Sequence, residues 1–219
     1  MPIRLGIDEA GRGCVLGPLV FGACLIEESD EPTLRDMGVR DSKKLTKDKR
    51  NDLKGRIPDV AIRWETVAIE PAVIDAENLG IIGKRVIVDL AARLKPDVLV
   101  LDAPVQPSGI PNYVKDIRER LAAVGVMEIE IIAENGADDT YMCCAAASVF
   151  AKTTRDERLQ GIELEAGVPL GSGYPGDPKT THFLRDHWTR ERKWPSFVRT
   201  KWDTCRRIVA ESAQGQLFS

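Results

Sequence analysis

Apolar residues open the chain in short runs and alternations. Ile3–Asp8 and Leu19–Ile26 read as apolar strands, and across Ala61–Ile69 the residues Ile62, Trp64 and Thr66 share one parity, so three strands come first. Helical spacing follows at Ile82, Val86, Leu90 and Leu94 and stops before Pro96. A buried strand is predicted at Val98–Leu101, a helix from Pro111 to Ala123, and a fifth strand where Met127, Ile129 and Ile131 alternate with glutamates. A long helix from Asp138 to Leu159 carries apolar and small residues nearly all round its first half, which predicts deep burial. The order β-β-β-α-β-α-β-α calls for an α/β fold, a mixed sheet with helices packed on it. Past Gly167 the pattern gives way to the turn-rich GSGYPGDPKT and then to one or two short helices. The expected division is a main domain at 1–165 and a small helical C-terminal part at 166–219.

Composition narrows the class. With 219 residues, 43% of them hydrophobic and 30% charged, the chain is long enough to bury its own core and is not a disordered polymer. The longest uncharged apolar run, Cys14–Ile26, is too short for a bilayer and is broken by Gly17, Pro18 and Gly22, so no membrane partner is expected. The opening MPIRLGIDEAGRG lacks the apolar stretch of a secretory signal. Five cysteines, an odd number without a C-x-x-C pair, fit neither a disulfide framework nor a zinc site. Together these features predict a reducing, cytoplasmic setting.

Net charge is −3, so bulk charge gives no sign of a nucleic-acid partner. Handling a polyanion would require bound cations or a local concentration of bases. Lys179 to Arg207 offers the second, with Lys179, Arg185, Arg190, Arg192, Lys193, Arg199, Lys201, Arg206 and Arg207 outnumbering the acids, although a solvated helical surface explains the same stretch.

The sharpest feature is the placement of acids. Asp8 and Glu9 end one apolar strand and run into Gly11-Arg12-Gly13, Asp102 ends another, and Asp138 stands where the buried helix begins. An ionised carboxylate removed from water without a partner is costly, so acids abutting core strands must be paired, protonated or metal-bound. Several converging at one end of a sheet would make an oxygen-lined site suited to Mg²⁺ or Mn²⁺. Successive strand residues face opposite ways, so Asp8 and Glu9 can share a metal pair only if the chain leaves β geometry at Glu9. For Asp138 a helix cap is the plain alternative, and for Asp102 a turn before Ala103-Pro104. The spacing of Gly6, Gly11 and Gly13 around two acids does not match a dinucleotide fingerprint, and neither a Walker A segment nor a G-x-S-x-G elbow occurs.

Five segments carry a family pattern: GIDEAGRGCVLGPLV, DSKKLT at 41–46, LDAP at 101–104, ADDTYMCCAAASVFAKTTRD at 137–156 and GSGYPGDPKT at 171–180. In this order they resemble ribonuclease HII, in the form found in archaea and related to the eukaryotic ribonuclease H type 2 catalytic subunit. The resemblance implies a ribonuclease H-like fold and a helical C-terminal segment that helps hold a duplex. It implies a monomer that cleaves the RNA strand of RNA/DNA hybrids, and cuts 5′ of single ribonucleotides in duplex DNA to leave 5′-phosphate and 3′-hydroxyl ends. The implied chemistry is hydrolysis at two divalent ions, Mg²⁺ or Mn²⁺, on Asp8, Glu9, Asp102 and Asp138. Gly11, Arg12 and Gly13 with Tyr174 would read the ribose 2′-hydroxyl, and Ser42, Lys43 and Lys152 would contact phosphates. Two positions depart from the pattern, Gly136 where a lysine is usual and Ala145 where a serine is, and Asp139 competes with Asp138 as fourth ligand. Alternative readings are another nuclease of this fold acting on DNA junctions, and a hybrid-binding module without chemistry.

Overall fold

The computed structural model describes residues 1–39 and 45–215. Five strands form one mixed sheet: β1 (Ile3–Ala10), β2 (Leu19–Glu27), β3 (Arg63–Ile69), β4 (Val98–Asp102) and β5 (Glu130–Glu134), in the order β3-β2-β1-β4-β5. β1 runs antiparallel to β2 and parallel to β4, and β4 is parallel to β5. The helices are α1 (Glu31–Asp36), α2 (Lys47–Arg56), α3 (Pro71–Ala76), α4 (Leu79–Leu94), α5 (Ile110–Ala123), α6 (Ala137–Thr140), α7 (Met142–Ala166), α8 (Pro178–Glu191) and α9 (Asp203–Gly215). None of the described helices is long and apolar enough to cross a membrane.

The chain divides into two compact units, and the division is not a single cut. The first holds residues 1–10, 20–67 and 80–154; the second gathers 11–19, 68–79 and 155–219, so two early segments join the C-terminal helices.

In the first unit the core lies between the sheet and the first part of α7. Cys24 and Ile26 of β2 and Val98 and Val100 of β4 pack with the run Met142–Ala147, Val149 and Phe150. The small residues of that run have a geometric cause. The backbone of α7 approaches β1 so closely that a Cβ on Gly6 would sit 2.2 Å from the carbonyl carbon of Cys143, a distance no side chain tolerates. Residues of the opposite parity, Leu5, Ile7, Leu99 and Leu101, are buried too, so both faces of the sheet are covered. α4 and α5 turn Ile82, Val86 and Leu90, and Tyr113, Ile117 and Leu121, inward. On the edge strand β3, Trp64 stacks on Phe150 with ring centroids 4.6 Å apart.

The second unit has a core of its own, built from Val15, Leu16, Leu159, Leu170, Phe183, Leu184, Val198, Cys205 and Ile208. All five cysteines are buried and unbonded to one another.

Several elements differ from the sequence expectation. The fifth strand occupies Glu130–Glu134 instead of the alternating stretch from Met127, because Val98 to Asp102 pair with Glu130 to Glu134 in register, and Met127 is left exposed. The single helix expected from Asp138 is two: α6 ends at Thr140, Tyr141 after it is extended, and α7 runs from Met142 to Ala166. α1, α2 and α3 were not expected. α2 buries only Leu53 among its described residues, so it has no apolar stripe to read, and its N-terminus is marked by Thr46, whose hydroxyl accepts from the Lys49 amide at 3.3 Å.

Candidate active site

Strand register places the first two acids. In β1, Asp8 lies opposite Gly22 of β2, while pairing with β4 stops at Ile7–Leu101. Asp8 and Asp102 therefore stand where two adjacent parallel strands part at their carboxyl ends. Both share the parity of Gly6, Val98 and Val100, which is the face that α7 covers.

Asp8 is 7% exposed, and one of its oxygens accepts from the Glu9 amide at 2.7 Å. Burial pushes its carboxyl up to about 7; the charge of Asp102 adds to this, against the hydrogen bond to Ser148 and the charge of Lys152. Asp102 accepts from the Gly136 amide at 2.8 Å, and Asn135 beside it donates to the carbonyls of Ala103 and Val105 at 2.7 and 2.8 Å. These bonds tie the end of β4 to the loop that leads into α6. Asp138, in that four-residue helix, is buried, with Lys152 of α7 at 3.9 Å. Its neighbour Asp139 is exposed, which separates the two candidates: Asp138 is turned inward. The helix cap is Gly136, not Asp138.

Three acids thus act on one locality. The fully buried thiol of Cys144 is pushed well up, chiefly by burial and also by the charges of Asp8, Asp102 and Asp138. Glu9 is set apart. β1 does not leave β geometry at Glu9 as the sequence argument required; it pairs regularly with β2 through Ala10, so Glu9 takes the opposite parity from Asp8. Among the described residues no three His, Cys, Asp or Glu side chains stand close enough together to enclose a metal ion, and this holds for Asp8, Asp102 and Asp138 as well as for any set with Glu9.

The second unit assembles the other candidate residues. Gly11 has φ +88°, and a Cβ there would lie 2.9 Å from the carbonyl oxygen of Pro18, so only glycine fits this turn. Gly13 is exposed, with the Tyr174 ring 3.7 Å from its side-chain position. The amides of Val15 and Leu16 donate to the Gly173 carbonyl at 2.8 and 3.2 Å, which fastens the segment carrying Tyr174 to the one carrying Gly11-Arg12-Gly13. Arg155 lies over the Tyr174 ring at 5.3 Å, donates to Cys14 Sγ at 3.0 Å and bonds the Ser172 carbonyl. Burial and the adjacent Cys14 raise the tyrosine phenol above its ordinary range. Ser42 and Lys43 lie outside the described residues.

Sequence reasoning missed Ser148, Arg155 and Arg199. Ser148 had a readable signal, since it stands four residues before Lys152 on one helix and shares its face. Arg199 had none: it was counted with the basic tail, yet it is completely buried, unlike the exposed Arg185, Arg190 and Arg206.

Comparison with known proteins gives these features a family. The family model for ribonuclease HII matches residues 5–205. Ribonuclease HII of Pyrococcus horikoshii is 35% identical over 217 residues, which is 97% of this chain and 95% of that protein. The crystal structure of the Pyrococcus horikoshii ribonuclease H2 superposes with a TM-score of 0.87 at 34% identity, covering 97% of this chain and 99% of the other. A structure of the PCNA:RNase HII complex from Archaeoglobus fulgidus gives 0.80 at 34% identity, covering 94% and 96%. The sheet and helices described above are therefore those of a ribonuclease H-like enzyme, and the chain belongs to the ribonuclease HII family, in its archaeal form, as a ribonuclease H hydrolase.

Proposed function

We propose that this ribonuclease H cleaves the RNA strand of RNA/DNA hybrids and cuts 5′ of single ribonucleotides embedded in duplex DNA, leaving 5′-phosphate and 3′-hydroxyl ends. The observation that carries the reading is Asp8, a carboxylate buried in a strand end beside a second acid with its charge incompletely compensated. The donor set suits a hard divalent cation: it is all carboxylate, and without added positive charge Asp8 is driven toward its neutral form. Asp8, Glu9, Asp102 and Asp138 would hold two such ions, Mg²⁺ or Mn²⁺, with Glu9 the member that strand parity sets apart. When bound, the ions supply an activated water and charge neutralisation at the scissile phosphate.

The protein groups have separable tasks. Ser148 and the Glu9 amide keep an oxygen of Asp8 oriented, and the Gly136 amide does the same for Asp102. Lys152 offsets part of the negative charge and is suited to a backbone phosphate, with Ser42 and Lys43 as further phosphate contacts. The Gly11-Arg12-Gly13 backbone, which no side chain obstructs at its glycines, reads the 2′-hydroxyl with Tyr174, and the helices after residue 165 help hold the duplex. The chain acts as a monomer in the cytoplasm, a setting that suits five buried free thiols.

The test is a duplex with one embedded ribonucleotide, incubated with and without Mg²⁺ or Mn²⁺. Metal-dependent cutting 5′ of the ribonucleotide is expected. Cutting of an all-DNA junction instead, or binding without cutting, overturns the reading.

A further inference from the structure

The largest fully buried side chain among the described residues is a cation, Arg199. Among those residues it has no ion-pair partner, and Asp75, whose charge reaches it, is bonded to the amides of Thr200 and Lys201. A guanidinium taken out of water without a carboxylate is expensive, and replacing such a group by apolar residues of similar size is often neutral or stabilising. Here burial lowers its pKa to about 10, and its Nη2 is buried with no hydrogen-bond partner. Core packing does not account for this residue.

What Arg199 touches does account for it. Nε donates to the Gly17 carbonyl and Nη1 to the Arg12 carbonyl, each at 3.0 Å. Its own amide donates to Val15 O at 2.9 Å, Val198 bridges Leu16, and the Gly17 amide donates to Phe197 O at 2.8 Å. The stretch from Phe197 to Arg199 is a short rail along residues 15–17, and the guanidinium extends that rail to Arg12. From below, the ring of Trp202 lies 5.1 Å from the guanidinium carbon.

A peptide group is planar and trans, so its carbonyl and the following amide point in opposite directions as one rigid plate. Pinning the Arg12 carbonyl therefore pins the Gly13 N–H, facing away from Arg199. Among the described residues that amide makes no hydrogen bond, and Gly13 is exposed. A donor held in place and left open is suited to an incoming hydroxyl oxygen.

We infer that Arg199 is a positioning residue for ribose recognition: through the Arg12 carbonyl it sets the direction of the Gly13 amide that meets the 2′-hydroxyl. This rests on the proposed reading of Gly11-Arg12-Gly13. Arg199 touches no substrate atom and acts only through the plate it holds. Flanking glycines leave that plate free to rotate without such a clamp.

The experiment compares wild type and Arg199→Lys on two duplexes identical except for one sugar, a ribonucleotide or its 2′-deoxy counterpart, with full Mg²⁺ and separate kcat and KM. Lysine keeps the charge but cannot give the paired donors of the fork. We expect folded protein in which kcat at the ribonucleotide falls about 10- to 100-fold while KM changes by less than about threefold, and the ribose-to-deoxyribose ratio shrinks by the same factor as kcat. A folded Arg199→Lys protein with wild-type kcat and ratio overturns the inference, and so does a loss confined to KM. Should Arg199→Lys not fold, Trp202→Leu loosens the guanidinium without removing it; a smaller shift of the ratio in the same direction supports the inference, and an unchanged ratio overturns it. A wild-type enzyme that does not distinguish the two sugars would instead overturn the functional reading itself.

Discussion

At the carboxyl ends of β1 and β4 the chain places side-chain charge. In the segment from Gly11 to Gly17 it places main chain, held from behind by arginine. On balance its surroundings disfavour Asp8 as a folded-state carboxylate: burial and Asp102 press it toward the neutral form, and Ser148, the Glu9 amide and Lys152 offset only part of that. The second region has the opposite electrostatics. Its buried charges are Arg155 and Arg199, and they are aimed at carbonyls, a thiol and an aromatic ring. One region is left short of positive charge, which is what the proposed cation site would require. The other is fixed by hydrogen bonds from buried arginines to main-chain carbonyls, which suits the proposed task of measuring the position of one hydroxyl group.

The strongest way to break this contrast is Asp8→Asn. If the acid end works by charge, the substitution removes at least about 10³-fold of the cleavage rate, in line with the loss of a preorganised electrostatic group, and leaves hybrid binding nearly intact. Stability should move the other way. Asp8 has a folded pKa of about 7 against an ordinary 3.8, so the folded state binds a proton that the unfolded state releases across that interval. Its contribution is intact below about pH 4 and is lost as pH rises through about 7, a penalty with a ceiling on the order of 4 kcal/mol. In EDTA, wild type should therefore melt lower relative to Asp8→Asn at pH 8 than at pH 5, with added Mg²⁺ narrowing the gap. Equal pH dependence of the two proteins would show that Asp8 is not the strained carboxylate described here.

Gly11→Ala tests the second region, where shape takes the place of charge. A side chain at φ +88° is strained by about 1–3 kcal/mol before any clash, and the Pro18 carbonyl 2.9 Å from the new Cβ forces the turn to shift. The expected outcome is a folded protein, still binding Mg²⁺, whose cleavage at an embedded ribonucleotide falls about 10- to 100-fold. Retained selectivity for the ribonucleotide would mean that this turn does not set the reading geometry.

The two regions also differed in how well they could be read beforehand. The burial of acids at the strand ends was legible because an acid abutting an apolar strand violates the ordinary pattern: Asp8 and Asp138 are buried, and the charges of both and of Asp102 act on the thiol of Cys144, although no three of these side chains close on one point. The parity of Glu9 was not legible: whether a strand stays regular past Asp8 depends on pairing to Val20 and Phe21, partners distant in sequence. The main strands of the sheet were visible as apolar runs, whereas β5 slipped by three residues because its register is dictated by β4. α2 was invisible for lack of an apolar face. Arg199 was read with its basic neighbours because nothing local distinguishes an arginine that donates to carbonyls more than 180 residues away.

The smallest effect sharpens the comparison from outside both sites. Asp177 closes the turn that carries Tyr174: its two oxygens accept from the Ser172 and Lys179 amides at 2.7 and 2.8 Å, and it caps α8. A hydrogen bond from the Ser172 side chain, together with those two amides, holds its carboxyl down to about 2. A depressed carboxylate stabilises the fold above its unfolded value and loses that effect as pH falls through the folded one, so the sign is opposite to that of Asp8. Asp177→Ala should lower the melting temperature by a few degrees at pH 7 and change kcat by no more than about twofold, as expected of a lost helix cap. Melts at stepwise lower pH should show the gap between the two proteins unchanged down to about pH 4 and closing toward pH 2. A gap that widens on acidification would mean that the carboxylate is not the group holding the turn, and that the rigidity of the reading region comes from Thr180, which accepts from the Gly173 amide at 3.0 Å and donates to the Leu170 carbonyl at 2.7 Å.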